Sequence, residues 1–216
     1  MLSDSAKSDL CAHSTNETQP ELMHDSNSTE QKPSVQLPGV NIALIGEAGA
    51  GKQSLIERYY TLKAGIVPGS KHGGYPAIRV THLGSDVECW GPQGLERFKA
   101  VPPTFYRNVD VMLLVVDISL DEKEIKNQMK LWLTAIPGHL DKRIPVVIVP
   151  SKADLVSPEV AKAKVKVIQK FVTRRKKCDL DADTADHHMR IYPLLIAAPV
   201  CVYSNQSLLQ CFELAV

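Results

Sequence analysis

A glycine-rich segment at residues 46–54 carries the clearest chemical signal in this sequence. It reads Gly-Glu-Ala-Gly-Ala-Gly-Lys-Gln-Ser and stands between an apolar run at residues 40–45 and the helix-like residues 55–60. A buried strand, a glycine-rich turn, a lysine and a helix N-terminus together form a phosphate-binding loop, or P-loop, whose backbone N–H groups converge on an anion. The residues that we expect to hold phosphate are Gly46, Gly49, Ala50, Gly51, Lys52, Gln53 and Ser54.

The position after the P-loop lysine departs from the motif. The motif has Ser or Thr there, because the hydroxyl ligates Mg²⁺. This chain has Gln53 at that position, and Ser54 comes one residue late. Gln53 or Ser54 is therefore only a weak candidate metal ligand, and the sequence leaves Mg²⁺ binding in doubt.

Two further motifs follow the P-loop. The first is spread over residues 90–107 and consists of Trp90, Gly94, Glu96, Arg97, Phe98, Tyr106 and Arg107. The second reads Ser-Lys-Ala-Asp-Leu at residues 151–155, just after the apolar residues 144–149. Together with the P-loop, these residues resemble the Ras-like small GTPases, and the Rab group in particular. That family has W-D-T-A-G-Q-E-R-F in its second switch and N-K-x-D-L in its guanine motif, and the resemblance covers residues 39–216.

The resemblance implies a fold and a ligand. The fold would be the α/β P-loop small G-protein fold, a six-stranded, mostly parallel sheet with helices on both faces. The ligand would be GTP or GDP, with Gly94 beside the phosphates, Asp154 accepting the N–H groups of the base and Lys152 lying along the purine. The guanine-binding residues would be Ser151, Lys152, Asp154, Ala197 and Ala198, the last two echoing the family's S-A-K loop. Residues 204–205 are an alternative echo of that loop.

Three departures from the family concern catalysis. Gly91 replaces the aspartate that holds the metal through water, and Leu95 replaces the glutamine that orients the attacking water. A leucine side chain can neither donate nor accept a hydrogen bond. The segment where the first switch should lie, residues 63–76, contains no threonine. We therefore assign no catalytic residue and expect weakened or absent GTP hydrolysis.

Three functions are compatible with these residues. The first is a guanine-nucleotide switch or scaffold of Rab type, for which the analogy with Rab proteins implies a role in vesicle trafficking. The second is a pseudo-GTPase, an interaction module that binds no nucleotide. The third, a P-loop ATPase or kinase, is the weakest, because the motifs match small GTPases. In the first two, effector or regulatory proteins would bind the switch face, and whether the protein is an enzyme stays open.

The elements that would position these motifs follow from the apolar pattern. Apolar runs alternate with helical patterns from residue 40 onward, which is typical of βαβ units and a mostly parallel sheet. The strand candidates are residues 40–45, 77–83, 87–90, 111–118, 144–149 and 192–197. Only residues 84–86 separate the second from the third, which predicts an antiparallel hairpin. One helix is predicted from apolar residues at helical spacing, namely Ile125, Met129, Trp132, Leu133 and Ile136.

A second helix should begin after Ser157, where Pro158 favours a helix start. We expect it to end near the basic residues 174–177, because cations suit a helix C-terminus; a phosphate or lipid patch is the alternative. Residues 179–188 open like a calcium loop but lack its glycine and glutamate. The neighbouring His187 and His188 could ligate a transition metal, although an ordinary polar loop is the simpler interpretation.

Composition bounds the rest. The polar residues 1–38 cannot bury enough apolar surface to order themselves, so we expect a disordered extension. A formal net charge of +1 favours neither a nucleic-acid partner nor a polybasic membrane surface. The five scattered cysteines predict no disulfide framework. No lipid anchor motif is evident, so we expect a cytoplasmic protein, and we expect any membrane association to come through partners.

Overall fold

The computed structural model describes residues 38–65, 79–91, 107–135, 144–181 (backbone alone from 176) and 194–216. Within these ranges strands and helices alternate. In chain order they are β1 (Gly39–Ile45), α1 (Lys52–Ala64), β2 (Arg79–His82), β3 (Ser85–Trp90), β4 (Val111–Asp117), α2 (Glu122–Ala135), β5 (Val146–Ser151), α3 (Pro158–Asp181), β6 (Leu194–Ile196) and α4 (Asn205–Glu213).

The six strands form one sheet in the order β2-β3-β1-β4-β5-β6. Every pairing is parallel except that of β2 with β3. All residues of β4 and β5 are buried. This is expected of central parallel strands, which helices cover on both faces. The predicted six-stranded, mostly parallel sheet is confirmed.

The two faces of the sheet are covered by different helices. Helices α1 and α4 pack on one face, where Tyr59 of α1 stacks on Phe212 of α4 with ring centroids 4.0 Å apart. Helices α2 and α3 pack on the other face, with Met129 and Ile168 fully buried. Because side chains alternate along a strand, Leu113 of β4 lies on the first face, and the residues on either side of it lie on the second. The carboxyl ends of the strands stay clear for the loops of the site.

The hairpin between β2 and β3 is tighter than predicted. Its turn consists of Leu83 and Gly84, with φ of 51° and 76°, whereas Ser85 and Asp86 belong to β3. Two positive φ angles give the turn type whose twist matches paired strands. Leucine rarely occupies that conformation, which is why the sequence pointed to residues 84–86 instead.

Helix α3 corrects a second prediction. It continues to Asp181, about one turn beyond the basic residues 174–177, which therefore lie inside the helix and not at its end. Asp179 and Asp181, taken as the opening of a loop, are helical. The rest of that segment, with His187 and His188, lies outside the described residues.

Several other predictions also fall outside the described ranges. These are the extension at residues 1–37, the first-switch segment from residue 66 to 76 and the second-switch residues 92–106. The boundary of the domain near residue 39 stays a prediction. None of the described helices has the length and apolar character needed to cross a membrane.

Candidate functional site

The P-loop joins β1 to α1 through three glycines with positive φ, Gly46 at 139°, Gly49 at 79° and Gly51 at 97°. At Gly46 the backbone lies directly against β4. A Cβ there would stand 2.3 Å from the carbonyl oxygen of Val115, closer than real Cβ atoms come. The loop can pass the central strand only because residue 46 has no side chain.

Lys52 is the first residue of α1 and is 8% exposed. Its Nζ donates to the carbonyl oxygens of Gly46 at 2.9 Å and Glu47 at 2.7 Å. The ammonium is therefore held inside the curve of the loop. It lies beside the first turn of α1, whose N–H groups have no earlier helical carbonyl as partner and which contains no acidic side chain. A lysine and a helix N-terminus together favour an anion such as phosphate.

The predicted phosphate residues do not all offer a backbone donor. The N–H of Ala50 bonds to the carbonyl of Glu47 at 3.2 Å, within the loop itself. Gly46 is placed by its fit against β4, and Gly51 caps α1 with its carbonyl accepting from Leu55. The predicted contact Gly94 lies outside the described residues.

The metal side of the site is a poor fit for Mg²⁺. Gln53 is exposed, and its Nε2 donates at 2.8 Å to the Oε1 of Glu57, one turn along the outside of α1. Ser54 is exposed as well, and Gly91 offers no side chain. Among the described residues, no group of three or more His, Cys, Asp or Glu could hold a metal ion. We derive no step that needs a metal from this arrangement.

Ser151 ends β5 and is 3% exposed. Its Oγ lies 2.8 Å from the carbonyl oxygen of Ala50 in the P-loop and 3.1 Å from that of Val116 in β4. One hydroxyl has one proton to share between these two acceptors. The sequence predicts a guanine contact here, which stays a prediction; in the structure this side chain joins the P-loop to the end of β5.

Asp117, which sequence reasoning missed, ends β4 and pairs in register with Ser151. One carboxylate oxygen lies 2.7 Å from the Nζ of Lys152, and the other accepts the N–H and the hydroxyl of Ser119 at 2.9 and 2.6 Å. Burial raises the pKa of Asp117, but the bonds from Lys152 and Ser119 outweigh it and hold that pKa below its ordinary value. An aspartate at the end of a fully apolar strand was the signal that could have revealed it.

The guanine motif continues past Lys152 into a short 3-10 turn, Ala153–Leu155. Lys152 has φ of 59° and ψ of 38°, a left-handed conformation that a residue with a side chain seldom adopts. The turn presents the side chain of Asp154 to solvent. An exposed carboxylate at this place can accept N–H donors from a ligand.

The predicted guanine contacts Ala197 and Ala198 follow the end of β6 and stay a prediction. Ala197 is buried, and its N–H bonds to the carbonyl of Ile148. The loop that meets the guanine motif comes later: the carbonyl of Val200 accepts the N–H of Ala153 at 3.2 Å. Ser204, the alternative, caps α4 by accepting from Ser207. Predicted contact Ala198 is exposed between these points.

The carboxyl ends of β1, β4 and β5 thus bring together the P-loop and the motif at residues 151–155.

The sequence profile described as "Roc: Ras of Complex, Roc, domain of DAPkinase" matches residues 41–154, just over half of the chain. The sequence is also similar to three plant proteins. Ras-related protein RABA1e of Arabidopsis thaliana is 30% identical over 118 residues, which cover 53% of this chain and 53% of that protein.

Ras-related protein RABA1f of the same plant is 31% identical over 130 residues, covering 56% of this chain and 59% of that protein. Ras-related protein RGP1 of Oryza sativa subsp. japonica is 27% identical over 117 residues, covering 53% and 51%. The chain spans about half the length of the curated relatives it matches. With the profile, the P-loop and the sheet order in agreement, the chain belongs to the Roc family of Ras-like small GTPase domains and is Rab-like within that superfamily.

Proposed function

We propose that this domain binds GTP or GDP and hydrolyses GTP slowly or not at all. The observation that carries the proposal is the buried ammonium of Lys52, held 2.9 and 2.7 Å from two P-loop carbonyls at the start of α1. A positive charge fixed beside a helix N-terminus is the arrangement that holds a nucleotide phosphate.

The guanine side supports a guanine nucleotide over other phosphates. Asp154 is exposed on its turn, as acceptance of two N–H donors from the base requires. Lys152 is fixed beside it by Asp117. The tether from Ser151 to Ala50 keeps this motif and the P-loop at a constant separation.

Slow hydrolysis is proposed because the residues that support the metal and orient the attacking water in the family are replaced in this chain. Gln53 is bonded to Glu57 on the outside of α1, and Gly91 has no carboxylate. Leu95 stands where the family uses glutamine but lies outside the described residues, so its part in the proposal rests on the sequence. Phosphoryl transfer depends on the metal and on an oriented water, and both supports are weakened together.

A second function, a pseudo-GTPase that binds no nucleotide, is favoured by a different observation. The P-loop is bonded to itself: Ala50 N–H to Glu47, and Lys52 Nζ to Gly46 and Glu47. A loop that satisfies its own groups can keep its shape without a ligand. In that case the domain would act only through protein contacts.

Further parts of the proposal rest on the family alone. Effector or regulatory proteins would bind the switch face, whose segments lie outside the described residues. A role as switch or scaffold in vesicle trafficking, a cytoplasmic location and membrane association through partners are analogies with Rab-like domains. The net charge of +1 gives no reason to add a nucleic-acid partner.

The first experiment asks what the purified protein carries. The full chain is denatured, and the released small molecules are separated by ion-exchange chromatography against GDP, GTP, ADP and ATP standards. We expect GDP or GTP in a fixed proportion to protein. Protein that carries none and takes up none when incubated with GDP would support the pseudo-GTPase.

A further inference from the structure

Asp117 and Lys152 form a partly buried ion pair at the carboxyl ends of β4 and β5. The Asp117 side chain is 9% exposed and that of Lys152 is 33% exposed. The carboxylate is held from its other side by the N–H and hydroxyl of Ser119. The carboxylate of Asp117 is therefore fixed and almost fully buried, while part of the Lys152 side chain is exposed to solvent.

The pair lies between the two halves of the proposed nucleotide site. Asp117 is the register partner of Ser151, which reaches the P-loop carbonyl of Ala50. Lys152 follows Ser151 directly and precedes the turn that carries Asp154. Lys152 therefore stands in the chain between the residue that contacts the P-loop and the turn that carries Asp154.

The backbone of Lys152 gives a reason why the pair is needed. A non-glycine residue at φ of 59° is strained, and such a conformation persists where neighbours fix it from several directions. Here the carbonyl of Lys152 accepts the N–H of Leu155 at 3.1 Å, and its Nζ is bound by Asp117. A lysine has four rotatable side-chain bonds, so without the carboxylate its stem would have to be ordered by the ligand.

We propose that Asp117, fixed by Ser119, is a positioning residue of the nucleotide site, which holds Lys152 in place for the base of a guanine nucleotide. The inference rests on the proposed nucleotide binding. Asp117 touches no ligand itself and acts through Lys152. It prepares the site before binding, so its loss lowers affinity without removing any group that contacts the nucleotide.

The test is a double-mutant cycle on GDP affinity, measured with fluorescent GDP on the full chain. Asp117→Asn weakens binding about tenfold, because the hydrogen bond to a charged group is replaced by a weaker one. Lys152→Met weakens it by a similar factor. In the Lys152→Met background, Asp117→Asn has no further effect, because the side chain that it positions is gone.

Three further variants separate positioning from folding. Asp117→Glu restores part of the affinity, since it keeps the charge. Ser119→Ala gives a smaller loss that also disappears in the Lys152→Met background, and it serves if Asp117→Asn does not fold. Glu122→Gln breaks the exposed pair of Glu122 and Lys126 on α2, 3.3 Å long, and leaves GDP affinity unchanged.

The outcomes are distinct. Wild-type protein that binds GDP while Asp117→Asn binds it equally well overturns the positioning role. If the losses of GDP affinity caused by Asp117→Asn and Lys152→Met add in full in the double variant, the positioning role is also overturned. Full additivity would mean that Asp117 does not act through Lys152. Wild-type protein that binds no GDP overturns the proposed function, and this inference with it.

Discussion

The hydroxyl of Ser151 lies 2.8 Å from the carbonyl oxygen of Ala50, across 101 positions of sequence. This contact joins the end of β5 to the P-loop, so the segments that we propose bind the guanine base and the phosphates are directly connected. Ser151 stands where the family has asparagine, and its short side chain still reaches the loop. In the structure Ser151 holds the loop, and we expect Lys152 and Asp154 to contact the base.

Ser151→Ala should therefore loosen the P-loop. Losing a buried hydrogen bond lowers the free energy of unfolding by about 1 kcal/mol, and GDP should dissociate several times faster because the loop is less fixed. Urea unfolding and stopped-flow displacement of fluorescent GDP measure the two effects. Thr173→Ala, which removes an exposed hydroxyl on α3, is the control and should change neither. Unchanged GDP dissociation in Ser151→Ala would contradict the tether.

Gly46→Ala and Gly49→Ala form a matched pair of P-loop substitutions. Both glycines have positive φ, so each alanine costs about 1 kcal/mol of backbone strain. Only at Gly46 would the new Cβ meet an atom, the carbonyl oxygen of Val115 at 2.3 Å, whereas at Gly49 nothing lies within 4 Å. We expect Gly46→Ala to lower the free energy of unfolding by roughly 2 kcal/mol more than Gly49→Ala. Equal losses in urea unfolding would show that the loop does not press on β4.

His82 makes stability depend on pH. It is 3% exposed, and its Nδ1 lies 2.9 Å from the hydroxyl of Tyr59. Burial lowers the pKa of His82 first, the charge of Lys63 lowers it further, and Glu213 opposes them. Because the folded pKa lies below the unfolded value of about 6.5, the unfolded chain binds the proton more readily as pH falls. Stability should therefore decrease as pH falls from about 6.5 toward the folded pKa.

His82→Gln tests this dependence, because glutamine can still bond Tyr59 but does not titrate. Urea unfolding from about pH 7 to pH 5 should show a flatter profile in the variant than in the wild type. Asp117 does not affect this comparison. Its pKa lies below the ordinary 3.8, so its contribution to the free energy of unfolding is lost only in stronger acid than pH 5. Identical slopes in the two proteins would exclude His82 as the source.

Leu95→Gln alone should not restore GTP hydrolysis. Gln53 and Gly91 still replace the family's two metal-supporting residues, so we expect the new glutamine to orient water beside a poorly supported metal. Single-turnover release of phosphate should stay within about twofold of the wild type. The triple variant with Gln53→Ser and Gly91→Asp should be faster, although the new Cβ at position 91 lies 3.3 Å from the Leu44 carbonyl and requires a small shift. A rate recovered by Leu95→Gln alone would mean that Gln53 supports the metal.

The sheet and the P-loop could be predicted from sequence because their signals are local and strong. Runs of Val, Ile and Leu fit strands buried on both faces, and a glycine-rich turn before a helix identifies the loop. The end of α3 could not be predicted: the basic residues 174–177 suit a helix end, but nothing after them stops the helix before Asp181. Cations are only a weak signal for a helix end.

The contacts that organise the site were less visible. The bond of Asp117 to Lys152 joins residues 35 positions apart and depends on the register of β4 with β5, which no local pattern gives. Likewise, Ala197 and Ala198 look like a guanine loop in sequence, but no local pattern shows that the N–H of Ala197, one residue past the end of β6, bonds to the carbonyl of Ile148. The residue after β6 whose carbonyl accepts the N–H of Ala153 is Val200. Register and loop closure are properties of the folded sheet.

Titration of the purified full chain with fluorescent GDP is the most direct test of our proposal that this domain binds guanine nucleotide, which we expect to depend little on Mg²⁺. The titration is done with excess Mg²⁺ and again with EDTA, and fluorescent ADP is the control for the base. We expect saturable GDP binding in both conditions, with GDP affinities within about tenfold of each other and a much lower affinity for ADP. No GDP binding in either condition, or binding that disappears in EDTA, would contradict it.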